Sequence, residues 1–108
     1  MIALANPVHP GEILSVEFID EMKLTSKSVA DSVFLAEDDI ESIITGTADF
    51  TAELAFRLSA FFGTTPDFWT ALQQSYDLSL VRGNDRLQAK LGRIVPSMAI
   101  NIQRSTPY

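Results

Sequence analysis

The 108-residue chain is predicted to be all-α, with five helices in one domain followed by a short sixth helix and a tail. Three observations carry this. Apolar residues recur at helical spacing almost throughout. Capping residues and glycines punctuate that pattern at ordinary helix lengths. The length suits about one domain, and 46% apolar with 20% charged residues suits a globular chain.

The first helix is expected to start at Pro10, whose missing N–H would have no partner in a first turn. Leu14, Phe18 and Met22 then recur every four residues as one apolar stripe. Lys23-Leu24 makes a connection, and Thr25 or Ser26 caps a short second helix with Val29, Ala30 and Val33 inward. Phe34-Leu35-Ala36 forms the next turn. A third helix follows from about Glu37 to Thr45, with Ile40, Ile43 and Ile44 inward and Gly46 ending it in a left-handed conformation. Thr51 caps the fourth, with Leu54, Ala55, Leu58, Phe61 and Phe62 on its apolar face and Gly63 at its end. Thr65-Pro66 opens the fifth, whose face carries Phe68, Trp69, Leu72, Tyr76 and Leu80. After Gly83-Asn84, Asp85 caps a sixth helix to about Leu91. Beyond Gly92, β-branched residues with Pro96 and Pro107 suggest an extended tail. Residues 1–82 are thus expected to form the domain, and 83–108 an extension.

Charge is distributed unevenly. Between Met1 and Phe56, eleven acids face only Lys23 and Lys27, whereas Arg82, Arg86, Lys90, Arg93 and Arg104 face only Asp85 beyond Val81. An acidic front half disfavours a polyanion there and favours a basic protein partner. No apolar run nears the roughly 18–20 residues that span a bilayer, and Met1 to Asn6 lacks the basic start of a signal peptide. Cysteine is absent, which removes disulfides, thiolate metal sites and Cys nucleophiles. A cytoplasmic location is expected, with no membrane contact, small-molecule substrate or cofactor.

Two short helices around a tight turn make a helix-turn-helix, in which the second helix is presented to the DNA major groove. Periodicity alone leaves other small bundles open. The residues His9-Pro10-Gly11-Glu12-Ile13-Leu14, Glu17-Phe18, Ala30, Ile40, Ile43 with Ile44, and Gly46 resemble the signature of HigA/VapI-type antitoxins. Thr51 to Leu58, Phe62-Gly63-Thr64, Phe68-Trp69, Leu72-Gln73 and Tyr76-Asp77-Leu78 continue the likeness, which covers roughly residues 9–80.

This resemblance implies a Cro/repressor-like (XRE-like) dimer that neutralises a basic RelE/HigB-like ribonuclease toxin and represses its own operon. By family match the DNA-facing positions are Thr25, Ser26, Lys27, Glu37, Asp38, Asp39, Glu41, Ser42 and Thr45. The dimer surface would be Phe68, Trp69, Leu72, Tyr76 and Leu80, since one small chain cannot easily bury Trp69 beside Phe68. Phe34 stands where the family usually has glycine. A bulky residue in the left-handed region costs about 1 kcal/mol or more, so a remodelled turn is expected.

Four carboxylates lie between positions 37 and 41. They oppose the counterion release that drives DNA affinity, although a carboxylate can accept from cytosine N4. The same acids stabilise a helix's first turn and suit a basic protein. Arg82, Arg86, Lys90 and Arg93 would share one face of a continuous helix, as a solvated stripe or a secondary site for nucleic acid or a partner. His9 reads as a packed or solvated residue rather than a metal ligand, because no second histidine exists. Glu12 with Glu17, and Asp20 with Glu21, read as a wet helix face. No nucleophile–base pair, phosphate loop or metal set appears, so no enzyme is expected. The alternatives to an antitoxin are a regulator without a toxin partner and a dimeric scaffold that no longer binds DNA.

Overall fold

The computed structural model describes residues 8–97. The start at Met1 to Asn6 and the tail from residue 98 onward lie outside the described residues. The architecture is all-α: α1 (Pro10–Ile13) runs into a π-helical stretch (Leu14–Asp20), followed by α2 (Ser26–Ser32), α3 (Glu37–Ile44), α4 (Ala52–Phe62), α5 (Pro66–Arg82) and α6 (Asp85–Leu91).

Hydrogen bonds at the helix starts show why each begins where it does. His9 caps α1 by accepting the Gly11 N–H on Nδ1 at 2.9 Å. Thr25 and Ser28 exchange side-chain and backbone bonds of 3.0 and 3.1 Å at the head of α2, a capping box that satisfies two otherwise orphaned donors. Thr51 and Thr65 accept from Leu54 and Phe68 in the same manner. The sixth helix differs from expectation: Asn84, not Asp85, is its cap, accepting from the Leu87 N–H at 3.0 Å. Gly46 and Gly63 both take positive φ after α3 and α4, at 81° and 78°.

The first helix departs from the four-residue stripe. Leu14 and Ile19 are both buried, five positions apart, because the π-helical winding takes more residues per turn than an α-helix. Phe18 still packs against the core, but Met22 is 51% exposed. The helix ends with a wide bond from the Leu24 N–H to the Ile19 carbonyl at 2.8 Å, and Leu24 is drawn inward instead.

The core joins Leu14, Ile19, Val29, Ala30, Val33, Ile40, Ile43, Phe50, Leu54, Ala55, Leu58 and Trp69. Trp69 is its centre and is 0% exposed. Its ring stacks on Phe50 with centroids 5.1 Å apart and planes within 6°, and Phe18, Phe62 and Phe68 surround it. Its indole N–H donates to Thr64 Oγ1 at 2.8 Å. One chain therefore buries this tryptophan completely, contrary to the expectation that it would need a partner.

Gly11 lets α1 lie against α3. A Cβ at that position would collide with the Ile43 carbonyl, and the nearest alternative room is taken by His9. α2 packs on α3, and α4 on α5, while α6 meets the end of α5 and buries no residue.

Candidate nucleic-acid and protein interfaces

Packing fixes which side of α3 faces out. Ile40 and Ile43 are buried and Ile44 is partly so. Glu37, Asp38, Glu41 and Thr45, spaced along the opposite side, are all exposed. Asp39 is also exposed but is engaged locally: its Oδ2 accepts the Ala36 N–H at 3.0 Å and so secures the helix start. Ser42 is half-buried, and its hydroxyl donates to the Asp39 carbonyl at 3.0 Å. Thr45 and Thr47 hydroxyls sit 3.2 Å apart, and both donate to the Ser42 carbonyl.

Cations near this helix are committed elsewhere. Lys27 pairs with Asp31 at 3.2 Å, and Arg57 pairs with Glu53 at 2.7 Å. Among the described residues Glu37, Asp38 and Glu41 have no ion-pair partner. Their outward field is therefore negative.

The turn before α3 is held from α4. Arg57 donates one guanidinium nitrogen to the Val33 carbonyl at 2.7 Å and to the Phe34 carbonyl at 3.4 Å. Glu53 takes its other two donors, at 2.9 and 2.7 Å. Phe34 itself adopts φ 63°, with its ring 86% exposed. The turn is thus not remodelled: phenylalanine occupies the left-handed geometry that favours glycine and carries the strain.

Of the positions expected at the dimer surface, Trp69 lies in the core. Phe68 and Leu80 are exposed, and Leu72 and Tyr76 are half-buried. Tyr76 presents its ring edge-on to His9, with centroids 4.9 Å apart. His9 has its Nδ1 bonded to Gly11 and its Nε2 3.3 Å from Asp49, so the ring is a structural pin between three segments. Leu78 and Val81 are also exposed on the second half of α5, but at helical spacing they lie off the face that carries Phe68, Leu72, Tyr76 and Leu80.

Arg82, Arg86, Lys90 and Arg93 are all exposed, and none is ion-paired among the described residues. They do not share one continuous helix. Gly83 and Asn84 break the chain between α5 and α6, and Arg93 follows α6. The Gln88 side chain donates to the Val81 carbonyl at 2.9 Å and ties the two helices together across the break.

Sequence reasoning noted Gln73 only within the family likeness and missed its buried role. It is buried in the core of α5, where its Oε1 accepts the Phe50 N–H at 2.8 Å and its Nε2 donates to Asp77 at 3.0 Å. Nothing in its local sequence marks it. Sequence reasoning overlooked Phe56, which is 65% exposed on α4; Phe61, expected on the apolar face of that helix, is instead 40% exposed.

An outward helix on a tight two-helix unit, in a small all-α domain with this core, has known counterparts. Antitoxin HigA-1 of Vibrio cholerae is 33% identical over 99 residues, spanning 92% of this chain and 90% of the relative. The chain belongs to the HigA-type antitoxins, within the helix-turn-helix regulators. An uncharacterised helix-turn-helix regulator of Escherichia coli, YbaQ, is 37% identical over 85% of this chain and 81% of its own length. The structure of Pseudomonas aeruginosa HigA, solved with the higBA promoter, has a TM-score of 0.77 at 29% identity, covering 86% of this chain and all of that one. No family model matches the chain. As a HigA-type antitoxin it belongs to a non-enzymatic family.

Proposed function

We propose that this HigA-type chain is a dimeric antitoxin that neutralises a basic, RelE/HigB-like ribonuclease toxin, with the outward acids of α3 as a contact surface. The observation that carries this is the cluster of Glu37, Asp38 and Glu41, exposed and without ion partners among the described residues. Unpaired charge of one sign on a rigid helix accelerates encounter with an oppositely charged partner and penalises like-charged ones. The second protomer would cover the exposed strip of α5 at Phe68, Leu72, Tyr76 and Leu80.

A second reading, operator binding, is favoured by the relative solved with its promoter. In this chain it would use Thr25, Ser26 and Lys27 at the head of α2 for phosphate contacts, a role suited to hydroxyls, lysine and helix N-termini. Glu37, Asp38 and Glu41 would then face cytosine amino groups.

One set of substitutions separates the two. Replacing Glu37, Asp38 and Glu41 with Gln, Asn and Gln leaves the Asp39 cap intact. If the acids serve a toxin, association with the co-expressed product of the neighbouring reading frame should slow about tenfold or more at low salt. Retarded mobility of random-sequence DNA should appear at lower protein concentration. Unchanged association would overturn the toxin reading of α3. A wild-type chain that leaves its upstream palindrome unbound at micromolar concentration and low salt would overturn the operator reading.

A further inference from the structure

We propose that Phe34 and Phe61, which line one groove, together with the exposed Phe56 on the same helix as Phe61, are the apolar anchor by which this chain grips a basic protein partner; the inference rests on the toxin reading above. Phe34 combines two costs at one position, a left-handed backbone and an 86% exposed ring. The left-handed backbone closes α2, with the Leu35 N–H reaching the Ala30 carbonyl at 2.8 Å, but that turn does not need a phenylalanine ring, and glycine would remove both costs. Strained, exposed residues of this kind gather where a surface is used.

The surroundings are shaped to receive a side chain. A shallow groove runs between the turn and α4, walled by Val33, Phe34, Arg57, Ala60 and Phe61. Phe56, 65% exposed, lies one helical turn before Ala60 on α4 but does not line the groove. Arg57 fixes the turn's carbonyls at 2.7 and 3.4 Å, so Phe34 is displayed from a braced backbone. Aromatic rings on rigid supports are the residues that concentrate binding energy at protein interfaces.

Charge selects the occupant. Glu37 and Asp38 follow Phe34 closely along the chain, exposed and without ion partners among the described residues. The groove's own cation, Arg57, is neutralised by Glu53 at 2.7 Å. The unpaired Glu37 and Asp38 repel a polyanion that approaches the turn. A cationic protein surface presenting an apolar or long-stemmed basic side chain is the complementary partner.

The test uses the full chain and the co-expressed product of the neighbouring reading frame as probe, comparing wild type with Phe34→Gly and, separately, Phe56→Ala. Phe34→Gly should raise the melting temperature of the free chain by roughly 4–8 °C, because strain is relieved and no buried area is lost. The same substitution should weaken the complex at least tenfold, mainly through faster dissociation. Phe56→Ala should weaken it several-fold with little change in melting temperature. Opposite signs for stability and affinity are what a purely structural turn residue does not produce. A stable wild-type complex that both variants match in affinity overturns the anchor and leaves the toxin reading standing. No complex with wild type overturns both. Loss of self-association, or of operator binding, with unchanged affinity for the probe reassigns the patch to a second copy or to DNA and likewise overturns the proposal.

Discussion

Gln73 shows how one polar side chain can organise a small core. Phe50 stacks on Trp69, and its N–H would be left without a partner there if Gln73 Oε1 did not accept it at 2.8 Å. Replacing Gln73 with Leu keeps the volume and removes the acceptor, which leaves a buried donor unsatisfied at a cost of about 1–3 kcal/mol. Urea denaturation should therefore show a lower midpoint with an unchanged slope. Phe34 was legible in the sequence as the wrong residue for its turn, and the strain it would carry was also legible. That the turn would keep the strain was not, because the outcome depends on Arg57, 23 positions away, bonding the turn's carbonyl.

Among the elements, the pairing of α1 with α3 is decided by Gly11. The two backbones approach so closely there that a methyl group would meet the Ile43 carbonyl. Backbone atoms cannot rotate aside as a side chain can, so Gly11→Ala should destabilise the domain by about 2–3 kcal/mol, read as a fall in melting temperature. Helix starts were largely readable in advance, since Thr25, Thr51 and Thr65 cap through residues three positions away. The π-helical winding of Leu14–Asp20 was not. Its sequence fits an α-helical stripe equally well, and only the demand to bury Ile19 beside Phe18 makes the wider turn worthwhile.

For the protein as a unit, the proposed dimer rests on apolar surface that the chain leaves exposed on α5. The face of α5 that carries Phe68, Leu72, Tyr76 and Leu80 is exposed at Phe68 and Leu80, and a twin face could cover it. Leu80→Glu should convert a dimer to a monomer in sedimentation experiments at micromolar concentration, with helical content retained because Leu80 is 47% exposed and outside the core. A species whose mass does not change would argue that α5 is not the dimer surface. The candidate α3 face was legible almost completely, because Ile40 and Ile43 inward leave Glu37, Asp38 and Glu41 no direction but outward. The α5 surface was legible only in part: Phe68 and Leu80 are exposed, whereas Trp69 is absent from it.

Helix positions, their caps and the acidic character of the outward helix follow from the order of residues, because each depends on neighbours within a turn or two. Trp69 in the centre, Gln73 as a buried acceptor, Phe34 held against its own preference and the groove it lines with Phe61 required the folded chain. Burial and strain are settled by partners far along the sequence, and periodicity carries no record of which distant side chains will arrive.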